Sequence, residues 1–169
     1  MHPERNVGRR KARGACLLRL ISNKNQRVSF VDASLNEERE AFTVVVVDNE
    51  GTVANAASVR TDRPEVAEQA ALALVDRSRP FVYSDSKSAV RAFEKGSVAK
   101  VALRIMKTCE IFQHYLCWFP AHLGVIEGAP LNLNESAHAA ARDLTLRSVP
   151  RHGVTVLPEN RDPLPHTMR

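Results

Sequence analysis

Cysteine is scarce in this chain. The 169 residues hold three, Cys16, Cys109 and Cys117. Their odd number and lack of zinc-like spacing fit a reducing compartment, and Cys109 and Cys117 are expected as small buried hydrophobes. Long apolar runs are missing too: none approaches the roughly 20 residues that a membrane span needs. The opening Met1-His2-Pro3-Glu4-Arg5 lacks the apolar stretch of a secretory signal. These shortages argue against a membrane or secreted protein and lead us to expect an intracellular one, in the cytoplasm or the nucleus. Acid is nearly absent from one segment. Residues 1–30 carry eight of the 24 Lys and Arg but only one of the 19 Asp and Glu, Glu4, for a local +7, and the remainder nets −2. The overall +5 therefore belongs to that segment. It could favour nucleic acid by counterion release; a solvated helical linker is the bland alternative.

The length suits one domain with tails and a proper core. Residues 9–20 read as a short basic helix with Ala12, Ala15, Cys16 and Leu20 roughly on one face, so 1–26 is expected as a basic helical arm. A first strand, Val28 to Val31, ends at Asp32. Two more are expected at 41–47 and 52–59, joined by the turn residues Asp48-Asn49-Glu50-Gly51. Val44 to Val47 is apolar without alternation, as in a strand covered on both faces. Pro64 with Asp62 near the cap opens a helix running to about residue 76. A strand at 81–84, helices over 88–93 and 98–109, a strand at 114–119 and a helix over 134–147 follow. The domain is thus expected to span 27–148 as an α/β fold, a mixed sheet of five strands flanked by helices. The tail 149–169 contains several prolines and no core-forming period, and is expected to be irregular.

Three acids stand out. Asp32 follows a strand, where an aspartate is most often a turn former, yet at a sheet centre it must be paired or bound to metal. Glu68 sits among apolar residues at 67, 70, 71, 72 and 75, so its face is not fully solvated. Glu65 competes with it, although Glu65 also suits the positive start of the helix. Asp85 follows the strand Phe81-Val82-Tyr83-Ser84, a position that favours a metal ligand, with capping of the next helix as the alternative. If the fold gathers these carboxylates, they repel until something neutralises them. A pair of divalent ions does so, and suits phosphodiester cleavage by a metal-activated water. Lys87, Arg91, Lys95, Lys100, Arg104 and Lys107 crowd one stretch against Glu94 alone, either as a solvated face or as a nucleic-acid backbone contact.

Five segments in order carry a resemblance. They are Asp32-Ala33-Ser34, the helix around Glu68, Ser84-Asp85-Ser86, Trp118-Phe119-Pro120-Ala121-His122-Leu123-Gly124, and Leu133-Asn134-Glu135-Ser136-Ala137-His138. Over about residues 27–147 the chain resembles the type 1 ribonuclease H domain of a non-LTR retrotransposon. The resemblance implies a ribonuclease H-like fold and hydrolysis of the RNA strand of RNA–DNA hybrids by two-metal catalysis. It implies Mg2+, or Mn2+ as the alternative, held by Asp32, Glu68 and Asp85. It also implies a loop histidine, His122, assisting proton transfer or product departure, and hydroxyl- and amide-bearing side chains near the acids reading 2′-hydroxyls. The domain would act as a monomeric part of a larger element-encoded protein, with nucleic acid as its partner. Position 138 departs from the pattern, with His138 where an aspartate is expected. His138 is a stand-in metal ligand or an ordinary helix histidine, and Glu135, one turn earlier, could lend a carboxylate instead. The departure sets the alternative function, a catalytically degenerate nucleic-acid-binding remnant. A recombinase or integrase on the same fold is a third reading, disfavoured by the helix glutamate and the Pro-Ala-His-Leu-Gly segment.

Overall fold

The computed structural model describes residues 6–24, 26–76, 78–107 and 113–147. The expected tail and Cys109 lie outside the described residues. Alternation and turn chemistry lay out the first three strands. β1 (Val28–Asn36), β2 (Ala41–Asp48) and β3 (Val53–Val59) form an antiparallel meander. The β2–β3 turn works as its sequence suggests: Asp48 Oδ1 accepts from the amides of Glu50 and Thr52, both at 2.9 Å, and Gly51 takes a positive φ of 83°. After α2 (Pro64–Ala73), β4 (Phe81–Ser84) joins β1 in parallel. α3 (Lys87–Glu94) and α4 (Lys100–Lys107) then lead to β5 (Tyr115–Trp118), parallel to β4, and α5 (Leu133–Arg147) follows. The sheet order is β3-β2-β1-β4-β5. This is the expected α/β fold with a mixed five-stranded sheet flanked by helices, consistent with a ribonuclease H-like architecture.

Period-two alternation divides the core between the sheet's faces. Val28, Phe30, Val45, Val47 and Tyr83 pack with Leu133, Ala137 and Ala141 of α5. Val31, Val44, Val46 and Val82 pack with Ala67, Ala70, Ala71 and Leu72 of α2. Phe30 is fully buried, stacked on Tyr83 at 4.9 Å and edge-on to Phe119 at 5.3 Å. Its burial contributes about 1.5–3 kcal/mol.

Several expectations need correction. β1 does not end at Asp32: residues 33–36 continue to pair with β2, so the strand reaches Asn36. Asp62 does not cap α2; the N-cap is Arg63, without a side-chain cap bond, and the helix stops at Ala73. The larger correction concerns α1 (Val7–Lys24). It is no free arm, because Ala15, Leu18 and Ile21 belong to the same buried cluster as Phe30. Its inner face is Gly14, Ala15, Leu18 and Ile21, while Cys16 and Leu20 are exposed. Hydrophobic pattern cannot register Gly14, yet there the helix touches its neighbour. A Cβ at Gly14 would stand 2.5 Å from Leu123 Cδ1 and 3.2 Å from Ile126 Cδ1. Cys117 is half-buried, and burial pushes its thiol pKa up. Among the described residues, no helix is long and apolar enough to cross a membrane.

Candidate metal centre

Strand register alone puts two of the three acids side by side. β1 and β4 run parallel with Val31 opposite Ser84. The next residue of each chain segment is an aspartate, Asp32 and Asp85, at the carboxyl end of the parallel pair, where open α/β sheets bind ligands. The third acid arrives on α2. Ala67, Ala70 and Ala71 are fully buried against the sheet, and such small side chains let the helix backbone approach closely. One carboxylate oxygen from each of Asp32, Glu68 and Asp85 then lies within 4.8 Å of the others.

The local bonding separates the roles of these acids. Asp32 is 6% exposed. Its Oδ1 accepts from the Ala33 amide at 2.8 Å, and its Oδ2 is 2.8 Å from His138 Nδ1. Burial first and the Asp85 charge second raise its pKa, against the Ala33 and His138 contacts. Asp85 does not cap α3. Ser86 does, its Oγ accepting from the Ala89 amide, which leaves the Asp85 carboxylate to face the other acids. Its Oδ2 accepts from Asn134 Nδ2 at 3.3 Å, and its backbone carbonyl accepts from Trp118 Nε1 at 3.0 Å. Glu68 Oε2 is buried without a hydrogen-bond partner. Burial, then the charges of Asp32 and Asp85, push the Glu68 carboxyl up to about 9. Its rival Glu65 points elsewhere, accepting from Arg63 Nε at 2.6 Å.

This donor set fits a divalent ion. Three carboxylates offer hard oxygen ligands, and Glu68 supplies a buried oxygen that nothing else satisfies. Octahedral Mg2+ with bonds of about 2.1 Å places its ligand oxygens about 3 to 4 Å apart, a small closure from the present spacing. The acidic triad Asp32, Glu68 and Asp85 could therefore bind a metal ion.

The two histidines stand beside the triad. His138, on α5, engages Asp32 and is not one of the converging three. His122 is exposed in the loop after β5 with a left-handed φ of 51°, and its ring lies 5.8 Å from that of His138, edge to face. Glu135 is no spare ligand: its Oε1 accepts from the Gly124 amide at 3.1 Å and ties α5 to the His122 loop. α1 holds the same loop from its other side. Arg10 donates to the Ala121 carbonyl, and Arg19 to the Gly128 carbonyl at 3.1 Å.

Two contributors escaped sequence reasoning. Asn134, 3% exposed, anchors Asp85 while its own Oδ1 stays unpartnered. Its place in the last of the five segments was the available signal, although nothing there suggested a bond to Asp85. The Trp118 bond to the Asp85 backbone depends on the β4–β5 register and has no local signature. Comparison with protein-family models and with curated proteins gave no match.

Proposed function

We propose that the protein is a metal-dependent nuclease that hydrolyses the RNA strand of RNA–DNA hybrids, similar to the ribonuclease H domains of non-LTR retrotransposons. One observation carries this reading. Asp32, Glu68 and Asp85 converge at the carboxyl end of the β1–β4 pair, on a sheet of order β3-β2-β1-β4-β5.

In this reading Asp32, Glu68 and Asp85 would hold Mg2+, which would supply an activated water and neutralise charge at the phosphate. Asn134 keeps the Asp85 carboxylate turned inward. Glu68 must release its proton for the ion to bind, so binding strengthens as pH rises. Hydrolysis would form a phosphorus–oxygen bond from water and break the bond to the 3′-oxygen; the water gives up one proton to solvent and the 3′-oxygen takes one up. His122, exposed and 5.8 Å from the His138 ring, is the group we assign to deliver it. If His138 turned from Asp32 toward the ion, its nitrogen would favour Mn2+ over Mg2+.

The test is cleavage of a labelled RNA–DNA hybrid in Mg2+ or Mn2+, with duplex DNA, duplex RNA and chelator as controls. Asp32→Asn or Asp85→Asn should reduce the rate about a thousand-fold, the loss expected when several kcal/mol of metal stabilisation disappears. Hybrid cleavage that survives both substitutions would refute the reading. The second reading, a nucleic-acid-binding remnant without catalysis, draws on the His138 contact that occupies Asp32 Oδ2. Hybrid binding without cleavage in either metal would favour it.

A further inference from the structure

Two cations from distant parts of the chain each lie against one tryptophan beside the acids. Trp118 closes β5 and is tied to Asp85 through its indole N–H. The Arg13 guanidinium carbon, from α1, lies 5.3 Å from its ring centroid, and Lys87 Nζ, from the first residue of α3, lies 5.5 Å away. Attraction to the ring holds each charge. Among the described residues, neither forms an ion pair with a carboxylate.

The arrangement is supported from below. α1 carries no acid between Val7 and Lys24 but presents Arg9, Arg10, Lys11 and Arg13 in its first two turns. Its buried face and the Arg10 and Arg19 clasps fix it to the domain. Arg13 is therefore held on a packed helix, and Lys87 on a capped one. Arg13 also hydrogen-bonds the Cys117 side chain, whose thiol burial keeps protonated, so among the described residues no anion faces either cation. The phosphates along a strand's backbone would supply that charge to both cations, with the indole between α1 and α3 as the common contact.

We propose that Arg13, Lys87 and Trp118 form a phosphodiester-binding site, through which α1 and α3 hold the backbone of a nucleic-acid strand beside the acidic triad. The inference deepens the nuclease reading and rests on it for the strand's delivery to the acids.

Trp118 is the only tryptophan in the chain, so its emission reports on this site alone. The experiment titrates the whole protein with an unlabelled RNA–DNA hybrid in chelator, following tryptophan fluorescence. In parallel, anisotropy of a labelled hybrid is measured from about 50 to about 300 mM salt. The wild type should bind with a change in Trp118 emission. The Arg13→Ala, Lys87→Ala double variant should bind at least about ten-fold more weakly at low salt, with a salt slope shallower by about 2, roughly 0.9 for each lost phosphate contact. Arg13→Lys with Lys87→Arg keeps both charges and should restore the slope. Arg27→Ala, an exposed cation at the amino end of β1, opposite the acids, should leave it unchanged. Circular dichroism of each variant checks that the fold persists.

Unchanged affinity and slope in the double variant would overturn the site, as would saturation without any change in Trp118 emission. Either result leaves the nuclease reading standing if the wild type still cleaves the hybrid in Mg2+ or Mn2+. Binding with the expected slope but no cleavage in either metal would support the site and defeat the nuclease. A wild type that binds no nucleic acid would defeat both.

Discussion

Glu68 should make the metal-free protein lose stability as pH rises, and Glu68→Gln should remove that loss. The ordinary carboxyl value is 4.5, and in the fold Glu68 is pushed up to about 9, first by burial and then by Asp32 and Asp85. Between these values the native state keeps a proton that the unfolded chain has released, so unfolding lets a proton go. Stability from this group is complete below about pH 4.5 and is lost as pH climbs toward 9, at about 1.4 kcal/mol per unit. At pH 7 the loss reaches about 3 kcal/mol, and Asp32, also raised, adds to it in the same direction. Water entry and movement of the carboxylates will relax part of this, leaving on the order of 1–3 kcal/mol. That is a large share of a typical total of about 5–15 kcal/mol. Gln has nearly the same shape and no charge. In chelator, Glu68→Gln should therefore unfold about 3–9 °C above the wild type near pH 8, and nearly level with it near pH 5. Saturating Mg2+ should stabilise the wild type by about 2.7 kcal/mol at a hundred times the dissociation constant, and the variant far less. Thermal unfolding followed by far-UV circular dichroism measures all of this. A wild type whose stability stays flat from pH 5 to 8 in chelator, with no gain from Glu68→Gln, would refute the reasoning.

Three further outcomes follow from the same geometry. Leu18→Ala removes a 2%-exposed side chain where α1 meets the core and should cost about 2–5 kcal/mol in urea unfolding; a loss below about 0.5 kcal/mol would mean that α1 is a detachable arm after all. Asn134→Ala frees Asp85 from its amide donor and should weaken Mg2+ binding about ten- to a hundred-fold, as for other groups that orient metal ligands; calorimetric titration with an unchanged constant would contradict that. His138→Asp puts an oxygen ligand beside Asp32 and should raise hybrid cleavage in Mg2+ more than in Mn2+; equal rates before and after the change would remove position 138 from the metal site.

Much of the architecture was legible because it is encoded locally. The unbroken Val44–Val47 run announced a strand covered on both faces, Asp48 to Gly51 announced a turn, and Pro64 announced a helix start. All three appear in the structure. The acids could be named as candidates because Asp32, Glu68 and Asp85 each sit oddly against an apolar pattern. Their convergence could not be read that way, since it depends on Val31 pairing with Ser84 and on three alanines letting α2 approach the sheet. Whether Asp85 caps a helix was undecidable from sequence, because Ser84, Asp85 and Ser86 are all good caps; tertiary packing chose Ser86.

The sequence by itself determined the alternation that builds each strand, the turn between β2 and β3, the positive charge of α1 and a short list of candidate acids, because these depend on residues within a few positions of one another. Only the tertiary structure decided that α1 packs into the core through Gly14 and Leu18, that Asn134 and Trp118 hold Asp85, and that Arg13 and Lys87 each come against the Trp118 ring. Those contacts join residues far apart in the chain. They form only when strand register and helix packing have settled, and no local pattern records which distant partner a side chain will meet.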